Sequence, residues 1–386
     1  MNHYERTELE GLSTFKWQNP NKFNATNAAI AFLVAIVGFN LLSLVISPIM
    51  KLMIDSGVGM GIALCFSVVI SQLFIFGLAY IFCKIKKVAL FGGADLRLRF
   101  TFAPCLPALL LSVGTLLLIM PSHNYFAEKL GEVQKALFGG STLDYLADIK
   151  ITDAFAILFY AFVLAPILPA IAEEALFRGV IMSGLREFGN FFAIIVSGAL
   201  FALMHGNYSQ LILQFILGCE IAFVVIVNEN YLLGIVMHFM NNLFAVLFGV
   251  FTTIALEMSP VLGNFLEGIS VFLGLIMVCV AICYYFRLIK YKSTPSLYRT
   301  RRFAFYKPDL KKRPCCLLGK GDLLSNRFVV DNKVVVVNDN SNFLFFNGRK
   351  FHKFTKRSNK VVFAITLSVA LLLAVGLIVL SFILVG

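Results

Sequence analysis

Charge is what this sequence has least of. Only 14% of its 386 residues are Asp, Glu, Lys or Arg, while 59% are hydrophobic. Soluble domains carry about 25% charged residues, so an ordinary soluble enzyme is excluded. A disulfide framework is missing too. Of the eight cysteines, Cys65, Cys83, Cys105, Cys219, Cys279 and Cys283 sit in or beside apolar runs, where Cys packs as a small hydrophobe. Cys315 and Cys316 are adjacent, and no CxxC metal spacing occurs. No short apolar core with a small-residue cleavage site precedes the first long apolar run, which argues against a cleavable signal peptide. No internal repeat is evident, whereas many transporters are built from repeats.

Long apolar blocks are present in abundance. A helix needs about 20 apolar residues to cross a bilayer at about 1.5 Å rise per residue. Blocks of that kind fall near 27–50, 58–83, 102–121, 154–185, 190–205, 210–228, 231–250, 263–287 and 361–385. The expectation is an all-α polytopic membrane protein of about 8–9 transmembrane helices, with a small β-rich cytoplasmic segment near the C-terminus. Its parts are a polar tail (1–26), three plain spans (27–121), an informative core (122–287), a basic segment (288–360) and a last span (361–386).

Positive charge is concentrated. Between Arg287 and Lys360 there are 19 Lys and Arg against four acids, so that stretch carries +15 and the rest of the chain −3. Beside so many spans, such a patch points to cytoplasmic retention and anionic lipid headgroups rather than to nucleic acid. Lys84, Lys86, Lys87, Arg97 and Arg99 cluster in another loop. Both clusters fit one topology, with the N-terminus and 288–360 in the cytoplasm. Phe126, Leu130, Val133 and Leu137 recur at helical spacing, which predicts a helix at the membrane interface over 122–152. From about residue 320, β-branched and aromatic runs separated by DN, NDNS and NG predict a small β-meander.

Ionisable residues inside a span cost about 2.5–3.5 kcal/mol each on insertion scales, so they mark function by default. Glu173, Glu174 and Arg178 lie in PILPAIAEEALFRGVIMSGL. On a helix Glu174 and Arg178 are neighbours and can neutralise each other. Glu173 is turned about 100° away and can serve as a base. Pro166 and Pro169 each remove a backbone donor just upstream, which suits a helix shaped around a polar cavity. His205 closes SGALFALMHG, while His238 and Asn242 share one helix face in LLGIVMHFMNN. Glu220 also falls within a span, as either a partner of the site or a local structural acid.

Taken in order, EEALFRG, FALMHG and HFMNN resemble the EExxxR, FxxxH and HxxxN motifs of the CAAX-protease and bacteriocin-processing intramembrane family. They fall on Glu173, Glu174 and Arg178, then Phe201 and His205, then His238 and Asn242, within residues 154–250. The resemblance implies a glutamic endopeptidase that cleaves membrane-associated or lipidated substrates. By the same resemblance, Glu173 activates water, His205 helps to hold it, and His238 and Asn242 stabilise the oxyanion. It implies no cofactor. A zinc variant held by Glu173, His205 and His238 is the competing mechanism, although the spacing is not HExxH. A scaffold or sensor of the same fold and a proton-coupled transporter are the other readings. Residue usage rich in Phe, Lys and Asn suggests a bacterial plasma membrane. Placing His205 level with Glu173 requires the 154–185 helix to reach past Arg178, or the 190–205 helix to be displaced.

Overall fold

The computed structural model describes residues 23–86, 104–138, 151–206, 210–228, 230–293, 327–330, 333–336 and 359–384. Helix α1 (Ala25–Asp55) begins at a capping box in which Asn24 and Asn27 exchange side-chain and backbone hydrogen bonds. A turn at Gly57, with φ +86°, reverses the chain into α2 (Met60–Lys86). Helix α3 spans Cys105–Phe138. A helical run over 151–188 follows, built of α4 (Ile151–Phe159), a π-helical turn (Tyr160–Leu164), α5 (Ala165–Leu176), a second π-helical turn (Phe177–Met182), α6 (Ser183–Leu185) and a 3₁₀ turn (Arg186–Phe188). Then come α7 (Asn190–Met204), α8 (Leu211–Asn228), α9 (Tyr231–Met258) and α10 (Pro260–Ser293). A two-stranded antiparallel pair, β1 (Arg327–Val330) and β2 (Lys333–Val336), precedes the last helix, α11 (Lys360–Leu384).

Eight of the described helical segments are long and apolar enough to cross a membrane, and α7, at 15 residues, is shorter. The chain is a multi-pass integral membrane protein. Large apolar side chains such as Phe155, Leu44 and Phe272 face outward, where lipid solvates them as well as a protein core does.

Two expectations about the fold need correcting. Residues 190–205 were expected to form a ninth full span. A 15-residue helix is only about 22 Å long, short of the roughly 30 Å hydrocarbon core. The β-meander is likewise not found. Among the described residues, 320–360 holds a single strand pair joined at Val330 and Lys333, and the other residues of that stretch up to 358 lie outside the description. Residues 122–138 are helical and continue the helix of the third span, with Pro121 carried inside it. Residues 139–150 are outside the description.

The interior is set by close helix approaches. Against a Cβ on Gly198, the backbone N of Cys219 would lie at 2.9 Å, and one on Gly218 would meet the Cα of Gly198 at 3.0 Å. Helices α7 and α8 therefore meet backbone to backbone, as small residues allow in membrane bundles. At the start of α2, Asp153 of α4 caps from outside, taking the Gly61 N–H at 2.8 and 3.0 Å.

Candidate active site

Glu173 and Glu174 sit near the end of α5, just before the second π-helical turn. The turn follows from wide hydrogen bonding around Arg178. Its carbonyl accepts from the Ser183 hydroxyl at 2.9 Å and from the Tyr231 hydroxyl at 3.1 Å. π-Turns inside α-helices commonly mark functional sites.

Arg178 is fully enclosed. Its Nη1 pairs with Glu174 Oε1 at 2.8 Å, its Nη2 donates to the Gly218 carbonyl at 3.0 Å, and its guanidinium lies 4.8 Å from the centre of the Phe201 ring. Ion pair, carbonyl bond and ring face together compensate a charge that is costly in an apolar interior. The same Glu174 Oε1 accepts from His238 Nδ1 at 3.0 Å. A carboxylate only accepts, so Nδ1 carries a proton and Nε2 is turned to the other side. On that side stands Glu173, with its Oε2 3.9 Å from His238 Nε2. Glu173 is the more accessible of the two acids, with a side chain 12% exposed against 0% for Glu174. Adjacent glutamates thus take different positions, one locked in an ion pair and one facing an imidazole.

His205 caps the end of α7, and its Nδ1 lies 2.9 Å from the Phe201 carbonyl. A carbonyl accepts, so this proton too is on Nδ1. The Phe201 ring makes edge contacts with His205 at 4.8 Å and with His238 at 5.5 Å. His205 therefore joins the cluster through Phe201. Asn242 is partly buried, and its Nδ2 donates to the Ala165 carbonyl at 3.4 Å. Pro169, four residues on, has no N–H to offer that carbonyl, and Asn242 supplies the missing donor.

Depth is reconciled by the turn between the two helices. The helical run continues past Arg178 to Phe188, and Gly189 reverses it with φ +113° and ψ 162°, a conformation open essentially to glycine alone. Glu173 and His205 each lie 16 residues from Gly189, about 24 Å along either arm of an antiparallel hairpin.

Three polar residues near the cluster carry no motif. Gln72 of α2 is buried and donates from Nε2 to Glu173 Oε1 at 3.1 Å. Ser112 of α3 donates to Asn241 Oδ1 and, at 3.4 Å, to the Met237 carbonyl, bracing α9 one residue before and three residues after His238. Single polar residues in spans, noticed as such, were the available signal. Glu220 is placed apart, accepting from the Thr115 hydroxyl at 2.5 Å.

Among the described residues, no three His, Cys, Asp or Glu side chains come together as a metal-holding group. Glu173, His205 and His238 do not make up such a group, and His205 and His238 each make an edge contact with the Phe201 ring. No curated protein and no solved structure matches the chain. Residues 155–244, the stretch that carries all three motifs, match the family model described as Type II CAAX prenyl endopeptidase Rce1-like.

Proposed function

We propose that the chain is an intramembrane endopeptidase that hydrolyses peptide bonds of membrane-associated substrates with a water activated by Glu173. The observation that carries the proposal is the opposition of Glu173 Oε2 and His238 Nε2 at 3.9 Å, with Glu174 holding the imidazole from behind. Both facing atoms are acceptors. A water donating one hydrogen to each, over legs of about 2.8 Å, spans that gap and turns its lone pairs outward.

In the reaction the water oxygen attacks the substrate carbonyl carbon while its proton passes to Glu173 Oε2. The carbonyl electron pair becomes the oxyanion. The second N–H of Asn242, whose first is anchored on Ala165, is the donor for that oxyanion. Donors of this kind contribute about 3–4 kcal/mol to the transition state. His238 Nε2 keeps accepting the other O–H of the water through the attack, its ring held for that role by Glu174 at 3.0 Å. On collapse the C–N bond breaks and Glu173 returns its proton to the leaving amine. The products are a carboxylic acid and an amine, and the site is restored. His205, with Nδ1 held by Phe201, offers Nε2 as a second acceptor for water.

The family name supports prenylated peptides ending in a CAAX sequence as the first substrate class to try. Purified protein in liposomes, given a quenched fluorescent farnesylated CAAX peptide, tests the proposal. Glu173→Gln is expected to lose at least a hundredfold in rate, and a chelator to change nothing. Chelator-sensitive cleavage points instead to a bound metal. Equal rates for wild type and Glu173→Gln leave a scaffold or sensor role.

A further inference from the structure

Glu173 has two oxygens, and only one faces His238. The other is occupied by a residue from outside the matched segment, since Gln72 lies on α2 while the family match begins at residue 155. Gln72 is 9% exposed, in a span whose other interior positions are filled by Gly61, Ala63, Ile75, Leu78, Ala79 and Cys83. Packing alone is served there by an aliphatic side chain. Among the described residues Gln72 Oε1 has no hydrogen-bond partner, so the amide carries an uncompensated buried acceptor. A polar group retained at that cost is retained for its other end. With Glu173 ionised, only the Nε2 face of the amide can meet the carboxylate, because an acceptor turned toward it is repelled.

We propose that Gln72 is a positioning residue for Glu173. Its amide holds Oε1 in place, fixes the plane of the carboxylate, and thereby presents Oε2 to the water between Glu173 and His238. The inference rests on the endopeptidase reading of the same site. Glu173 is approached by Glu174 of α5, Arg178 of the second π-helical turn and His238 of α9, with Glu174 bonded to both of the others. None of these three orients Oε1, whose hydrogen bond comes from Gln72 on α2.

The test uses the full chain in liposomes with the farnesylated CAAX peptide, measuring kcat and KM separately. Gln72→Met keeps the bulk and removes the donor, and is expected to lower kcat at least tenfold with KM unchanged, the usual weight of a hydrogen bond to a charged group. Gln72→His restores an N–H and is expected to recover most of the rate. In a Glu173→Asp background, where the shorter acid no longer reaches the amide, Gln72→Met is expected to cost less than threefold. A loss expressed in KM, an equal loss in both backgrounds, or a His variant that fails to recover while the thermal midpoint drops assigns Gln72 to packing and overturns the proposal. Glu173→Gln separates the two levels. If that variant is inactive and Gln72→Met runs at the wild-type rate, only this inference falls. If Glu173→Gln matches the wild type, the endopeptidase reading falls and takes this one with it.

Discussion

A buried charge is tolerated only where it is compensated, and Arg178 shows how. It pairs with Glu174, bonds the Gly218 carbonyl and covers the Phe201 face. Arg178→Ala would leave Glu174 with a charge and no counter-ion, which costs about 3–5 kcal/mol when a buried pair is broken. We expect thermal unfolding in detergent to show that loss, together with loss of cleavage as His238 is released. Asn242 presents a different question, because it serves both the carbonyl released by Pro169 and the proposed oxyanion. Asn242→Ala is expected to destabilise by about 1–2 kcal/mol. Pro169→Ala returns a backbone donor to Ala165 and should relieve that instability without restoring activity. Recovery of both would assign Asn242 to the backbone alone. At this scale the glutamates, Arg178 and the two histidines were legible because ionisable residues in apolar runs stand out. Gln72, Ser112 and Asn241 were not, since their partners are 101 to 129 residues distant and a lone polar residue has no periodicity to betray its direction.

Between elements, glycines set how near the helices around the glutamates lie. A Cβ on Gly234 would stand 2.6 Å from Val225 Cγ2 and 2.9 Å from Glu174 Oε2. Gly234→Ala therefore pushes α9 away from α5 and stretches the bond between Glu174 and His238. Overpacking of this kind costs about 1–3 kcal/mol, and the activity loss should exceed what the stability loss accounts for. Measuring both on one preparation checks it. At Gly189 a side chain meets backbone strain instead. Gly189→Ala should shift the level of His205 against Glu173, reducing kcat while leaving the spans inserted. The hairpin was only partly readable. A Gly between two apolar runs suggests a turn, but it shows neither the extension to Phe188 nor the two π-helical turns, and the second turn meets bonds from a distance such as that of the Tyr231 hydroxyl to the Arg178 carbonyl, 53 residues away. Those bonds have no local pattern. The fusion of residues 122–138 with the third span was equally hidden, because Pro121 and the polar residues after it look like an end when read alone.

For the molecule as a whole, the first and last spans start at one face. Thr26 Oγ1 donates to the Asn359 carbonyl at 3.4 Å, and the Phe188 ring lies 5.1 Å from that of Phe363. The start of α1, the end of the 151–188 run and the start of α11 thus share an end of the bundle. Because Lys and Arg are retained on that side, this end is expected in the cytoplasm with Lys84, Lys86 and the basic stretch 288–360. Reporter fusions at the N-terminus and within 288–360 should both report a cytoplasmic position. Opposite sides for the two would break the assignment. The count of apolar runs was readable at this scale because lipid imposes length and composition directly. The β-rich reading was not secure, since a strand pattern of four residues specifies no partner.

The central claim is that Glu173 drives peptide-bond hydrolysis, and the most direct measurement is a census of new peptide N-termini in membranes holding wild type or Glu173→Gln at equal protein level. The account predicts a set of N-termini present with wild type, absent with Glu173→Gln, and unchanged by chelator. Identical sets from the two proteins would contradict it.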